Sequence, residues 1–205
     1  FFAKGDFKAA MAEFEKFLTL YERSQAAPYA QIMWSHCLIR QRKQNTAIRD
    51  GYQSVIDYWP ESPEAALAAY LIGKTYKDIG EVKNSIKAFD KVREDYPDKH
   101  VSVLSLWEIL DIAKVHKDEK LRIKILKELT FEIKRTKAND YHLTRASQEL
   151  AGYYFYAGEG TKGLEALQEQ GSASRMRREG GVTGQAYGIG HRAVSHLHQN
   201  NKTVK

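Results

Sequence analysis

Residues 63–97 read PEAALAAYLIGKTYKDIGEVKNSIKAFDKVREDYP, and the spacing of apolar positions decides how this stretch folds. Leu67, Ile72 and Tyr76 recur at helical spacing, Gly80 interrupts the run, and Val82, Ile86, Phe89 and Val92 form a second apolar stripe. Gly73 falls where two antiparallel helices can cross closely only if one side chain is nearly absent. Pro97 stops the second helix because it has no amide hydrogen to continue the ladder. The stretch therefore predicts two helices folded back on each other.

The same pattern returns on both sides. Residues 1–22 repeat the second half, as Gly5-Asp6-Phe7 followed by Ala10, Phe14, Phe17 and Tyr21. Residues 26–60 carry a fuller copy with Trp34-Ser35, Leu38, Ala47, Ile48 and a closing Tyr58-Trp59-Pro60, its register open by one residue. Residues 100–136 keep the stripes through Leu104, Trp107, Ile109, Ala113, Ile123, Leu126, Leu129 and Ile133, but lack the glycine and the closing proline. Residues 140–176 recover both helices through Leu150-Ala151, Tyr154, a turn at Gly158, then Gly163, Leu164 and Leu167. Equivalent second-helix positions are Ala10, Ala47, Ser85, Arg122 and Gly163, separated by 37, 38, 37 and 41 residues. A helix pair of this size cannot bury its apolar face alone and must stack on its neighbours. The expected fold is all-α, an α-solenoid of antiparallel helix pairs over residues 1–176, followed by a tail at 177–205.

The order Ala69, Ile72-Gly73, Tyr76, Gly80, Ser85, Phe89, Pro97 resembles the tetratricopeptide signature, and the resemblance extends over roughly residues 1–170. Stripes alone also fit another α-solenoid. Ordinary repeats of this family run to about 34 residues. The longer form here, with its Ser62-Pro63-Glu64-Ala65 linker, is similar to the branch found in bacterial envelope proteins, among them the outer-membrane-assembly lipoprotein and the Tol-Pal-associated periplasmic protein. The resemblance implies a right-handed superhelix, a protein or peptide partner, no enzymatic activity and no cofactor, and it points to the periplasm or cell envelope. It also implies that the first helices line a concave face. Carried over position by position, that face comprises Ile32, His36 and Arg40, then Leu67, Tyr70, Lys74 and Lys77, then Leu104, Trp107, Asp111 and Lys114, and finally Arg145, Gln148 and Phe155. Rigid aromatics beside cations are what binding hot spots favour, so the groove reads as aromatic with a basic tint. Two other readings stay open: Tyr70 and Trp107 as core residues, and the lysines as an ordinary solvated face. The Lys and Asn pattern by which chaperone co-factors of this family clamp a terminal carboxylate is not matched.

Charge and composition narrow the function further. The formal charge is +6, but residues 171–205 hold six cations against the single acid Glu179, so the body is nearly neutral. Six of the 14 glycines also fall there, which reads as disorder or, through Ala186, Ile189, Ala193, Val194 and Leu197, as a short capping helix. Arg175-Met176-Arg177-Arg178 supplies the alternative function, binding of nucleic acid or an anionic surface. No apolar run approaches the roughly 18 residues of a membrane span. The chain opens on Phe1 rather than Met, which leaves room for a leader, lipid anchor or earlier repeat upstream. Cys37 is the single cysteine and fits a packed helical thiol better than a nucleophile. Phosphate-binding, metalloprotease and serine-hydrolase spacings are missing, so no catalytic residue is assigned. His191, His196 and His198 have no neighbouring Cys or acid, and no metal site is assigned to them. His36, His100, His116 and His142 are scattered and read as surface or turn residues.

Overall fold

In the computed structural model, which describes residues 1–179 and side chains as far as residue 169, one backbone device sets the architecture. Gly5, Arg42, Gly80, Lys117 and Gly158 adopt the left-handed conformation, with φ of 80, 60, 80, 56 and 77°. After each, the next amide reaches back five residues: Asp6 to Phe1 at 3.3 Å, Lys43 to Leu38, Glu81 to Tyr76 and Asp118 to Ala113 at 2.9 Å, and Glu159 to Tyr154 at 2.8 Å. Such a turn ends a helix by satisfying carbonyls that have lost their intrahelical donors. The carbonyl of that same residue then accepts the first amide of the next helix, from Ala10, Ala47, Ser85, Arg122 and Gly163 at 2.8–3.1 Å. These are the five positions whose equivalence the spacing predicts. Asp6 and Asp118 add side-chain caps, accepting from the Ala9 and Leu121 amides at 3.0 Å.

The elements follow from these turns. A short 3₁₀ turn, Phe2–Lys4, precedes α1 (Phe7–Leu20) and α2 (Ala27–Arg40). Helix α3 runs as Gln44–Thr46, a π segment Ala47–Tyr52, and Gln53–Tyr58. Then come α4 (Pro63–Asp78), α5 (Val82–Asp95), α6 (His100–Val115), α7 (Glu119–Lys127, continued by a π segment Glu128–Glu132), α8 (Asp140–Tyr156) and α9 (Gly160–Glu179). No strand occurs among the described residues. From cap to cap, α3 spans Lys43 to Trp59 and α5 spans Glu81 to Tyr96, so α3 holds one residue more. The π segment absorbs it, as a one-residue insertion into an α-helix must be absorbed. Gln31 of α2 donates to the Asp50 carbonyl of that widened turn at 3.1 Å. This resolves the register that the sequence left open by one.

The helices form two compact units, Phe1–Ile125 and the residues from Leu126 on. In the first, small residues recur at matching places on the first helices. Ala27, Ala65 and Ser102, and Ala30, Ala68 and Ser105, are all buried, which lets α2, α4 and α6 lie close to their neighbours. Around them Ile32, Leu38, Ala47, Tyr52, Val55 and Ala68 form one cluster, with Met11, Trp34 and Leu71 packed on its edge. The α4–α5 crossing depends on Gly73: a Cβ there would stand 2.6 Å from the Phe89 ring. The Ser85 hydroxyl donates to the Gly73 carbonyl at 2.9 Å across that same gap. Cys37 is fully buried, and burial pushes its thiol pKa up, as a packed thiol requires.

In the second unit, Leu143, Ala146, Leu150 and Ala151 of α8 are buried with Leu126, Leu129 and Ala166. The crossing glycine is now Gly163 of α9, where a Cβ would stand 2.8 Å from the Phe155 ring. The connection before α8 is longer than its counterpart before α6, and Arg135 orders it by donating to Asp140 Oδ1 at 2.8 Å and Thr144 Oγ1 at 2.9 Å. Asn139 ties the same loop, accepting from the Thr136 amide at 2.7 Å and donating to the Lys134 carbonyl at 3.0 Å. Helix α9 runs three residues past the predicted start of the tail, to Glu179. The remainder of the tail, its three histidines and the proposed capping helix lie outside the described residues, as do the side chains of Arg175, Arg177 and Arg178.

Candidate functional site

The part of the predicted face that lies in the first unit is built from α2, α4 and α6, which present equivalent positions every 38 and then 37 residues. Consecutive members of this set pack side by side within the first unit. The best-defined feature joins α4 to α6. Glu108 receives the Tyr70 hydroxyl at 2.8 Å and the Lys74 ammonium at 3.1 Å on one carboxylate oxygen, and the Lys77 ammonium at 2.6 Å on the other. Lys77 also stands 3.6 Å from Asp111. The Glu108 side chain is 14% exposed, whereas that of Asp111 is 60% exposed. Burial pushes the Glu108 carboxyl up, but hydrogen bonds from Lys77, Tyr70 and Lys74 outweigh it and hold its pKa below the ordinary glutamate value. Burial and then the hydrogen bond to Glu108 push the Tyr70 hydroxyl well above the usual tyrosine range, so it acts as a donor.

This arrangement revises the expected groove. Tyr70, Lys74 and Lys77 do come together, but on a carboxylate of the neighbouring first helix, so the basic tint is largely neutralised. Tyr70 also packs its ring on Phe89, with centroids 5.7 Å apart, and is at once a face residue and part of the α4–α5 packing. Ile32 was expected on the face and instead lies in the core, 1% exposed. Its equivalent on α4 is Tyr70, whose hydroxyl has a polar destination, whereas a purely apolar side chain gains most by complete burial. His36 meets the edge of Tyr52 at 5.9 Å, and desolvation lowers its pKa, so it is neutral at physiological pH. Arg40 lies over the Phe7 ring at 5.4 Å and Lys114 over Trp107 at 5.8 Å, both within cation–π range. Leu67 is 39% exposed, and Leu104 and Trp107 are half-buried. In the second unit Arg145 is exposed, Gln148 is half-buried, and Phe155 is partly taken up by its packing over Gly163.

Two residues of this face were missed by the sequence reading. Glu108 occupies the position that Leu71 holds one repeat earlier. Tyr29, 56% exposed, stands one repeat before Leu67 and extends the apolar row Tyr29, Leu67, Leu104. Among the described residues no group of three or more His, Cys, Asp or Glu is placed to hold a metal. No helix among them is long and apolar enough to cross a membrane.

Comparison with known proteins bears on this geometry at two levels. Residues 67–99 match the tetratricopeptide repeat. That repeat comprises most of α4 and all of α5, the pair with Gly73, Gly80 and Ser85 in their expected roles. A crystal structure of BtubC (BKLC) from P. vanneervenii is similar over 89% of this chain and 78% of its own, at a TM-score of 0.56 and 12% identity. Such identity speaks to the fold alone, and the fold is a tetratricopeptide-like solenoid of helix pairs. The crystal structure of MamA has a TM-score of 0.49 and 15% identity over 86% of this chain and 94% of its own. That of a putative Podosopora anserina kinesin light chain with nearly identical TPR-like repeats has a TM-score of 0.48 and 11% identity, over 85% and 90%. No curated protein matches the chain by sequence. Tetratricopeptide-like proteins are generally non-catalytic scaffolds that bind protein partners.

Proposed function

We propose that this chain is a non-enzymatic scaffold that holds a peptide or protein partner on the face formed by α2, α4 and α6. One observation carries the reading. Tyr29, Leu67 and Leu104 occupy the same register on three first helices packed side by side and keep apolar surface accessible there, as protein-binding surfaces do. Around that row Trp107, Tyr70 and Arg40 supply the aromatic and guanidinium groups that dominate interface energetics. His36, Lys74, Lys77, Asp111 and Lys114 form its polar border. On α8, Arg145, Gln148 and the open edge of Phe155 offer a second, separate stretch of the same kind. A role in cell-envelope assembly is supported by the Ser62 to Ala65 linker resemblance, and fractionation of the native host tests it: recovery with cytosolic markers alone would refute it.

The binding test uses a double variant, Tyr29→Ala with Leu67→Glu. Both side chains are exposed, so folding should survive, as an unchanged melting curve would show. Affinity recovery followed by mass spectrometry should then lose, in the variant, partners retained by the wild type. Identical recovery from two equally folded proteins would sink the proposal.

A further inference from the structure

The proposed face carries lysines, yet its geometry argues against an acidic partner. Lys74 and Lys77 share α4 with Leu67 of the apolar row, and both already ligate Glu108, at 3.1 and 2.6 Å. Tyr70 adds a neutral donor to the same carboxylate at 2.8 Å. Three donors that would otherwise form a receptor for an incoming carboxylate are therefore occupied by one supplied from the adjacent repeat. A second carboxylate entering here meets Glu108 and Asp111 rather than bare ammonium groups. Like charges that share a partly desolvated site repel strongly, and Asp111 keeps 60% of its side chain in solvent facing any such ligand. Two acids against two lysines leave the cluster without net charge, beside a row of tyrosine and leucine side chains.

We infer that Glu108 is the specificity-determining residue of this face, closing it to acidic segments and committing it to uncharged peptide segments that bring apolar side chains to Tyr29, Leu67 and Leu104. The inference rests on the proposed function and deepens it. Discrimination arises from a built-in repulsive element as much as from attraction. Glu108 is suited to the role because it belongs to α6 while its donors belong to α4, so its loss changes the charge presented without removing an apolar contact of the row. Two other cations of the proposed face have aromatic partners: Lys114 lies over Trp107 and Arg40 over Phe7.

The test is selection from a random dodecapeptide phage library on three proteins: wild type, Glu108→Gln and Leu67→Glu. Gln is isosteric, can still accept from Tyr70, and leaves two lysines with Asp111 alone, 3.6 Å from Lys77, as counter-ion. Wild type should enrich peptides rich in apolar residues and depleted in Asp and Glu. Glu108→Gln should enrich Asp and Glu, with synthetic winners binding it at least tenfold tighter than they bind wild type and losing affinity as salt rises. Acid-rich winners on wild type, or the same winners on wild type and Glu108→Gln, would overturn the inference while leaving a peptide-binding face intact. No enrichment on wild type, or enrichment that survives Leu67→Glu in a folded protein, would instead remove the face itself and the inference with it. Thermal melts of all three proteins exclude unfolding as the cause.

Discussion

The second and third helix pairs solve one packing problem in opposite ways. In α4–α5 the glycine is on the first helix, and Phe89 fills the space that Gly73 leaves. In α2–α3 the equivalent of Gly73 is Ser35 and the equivalent of Phe89 is Gly51, where a Cβ would stand 2.3 Å from the Ser35 hydroxyl oxygen. The third pair ends its first helix on Gly80, the second on Arg42, and both reach the same left-handed turn. On the face, the third pair offers Tyr70, Lys74 and Lys77, where the second has Ile32, His36 and Ile39. What stays constant is the close approach of two backbones and the hydrogen bonds that end each helix. Residue identities are free to move as long as those survive.

The comparison breaks most visibly at the crossings. Gly73→Leu forces a side chain into a ring that is itself fully buried, and we expect a loss of about 3 kcal/mol or more in denaturant unfolding. Gly51→Ala should cost roughly 1–2 kcal/mol by the same overpacking, and Ser35→Gly in the same chain should restore most of it, a coupling that a double-mutant cycle would expose. If Ser35→Gly restores nothing, the two pairs do not share this crossing. At the turns the expected sizes fall further. Gly80→Ala should lose about 1 kcal/mol, the penalty of a Cβ in the left-handed region, whereas Arg42→Gly should lose nothing or gain up to about 1 kcal/mol. The smallest effects are pH-dependent and separate the second pair from the link between the third pair and α6. His36 titrates below the ordinary histidine value, so the unfolded chain takes up its proton first. The contribution of that site to stability is complete above about pH 6.5 and fades as pH falls through the lower folded value. Glu108 is also depressed, so its contribution is complete above about pH 4.3 and fades only at more acid pH. His36→Phe should flatten the first window and Glu108→Gln the second. Melting curves collected against pH would show whether the first window belongs to the second pair and the other to the link from α4 to Glu108 of α6.

The repeat was legible in the sequence because its signals are local and backbone-driven. Gly80 and Gly158 mark positive φ, Gly73 marks a close crossing, and the stripes mark the buried faces. The turns at Arg42 and Lys117 were not, since nothing in an arginine or lysine announces a left-handed backbone imposed by the helices on either side. Ile32 was misplaced because equivalent register was taken to mean equivalent exposure, although an isoleucine and a tyrosine respond differently to the same site. Glu108 was missed for a related reason. Glu108, set among Trp107, Ile109 and Leu110 in the largely apolar run VSVLSLWEILDIAKV of α6, was a usable signal, because a half-buried charge must find partners. Which partners it finds depends on the neighbouring helix and is not written in α6.

Glu81 donates its amide to the end of α4 and offers its carbonyl to the start of α5, and Lys43 does the same for α2 and α3. One peptide residue is thus common property of two helices, and the terminal turn of either cannot fray without releasing the first turn of the other. In native-state hydrogen exchange the smallest opening unit of this protein should therefore be a whole helix pair. Amides on both sides of each left-handed turn should report a single opening free energy.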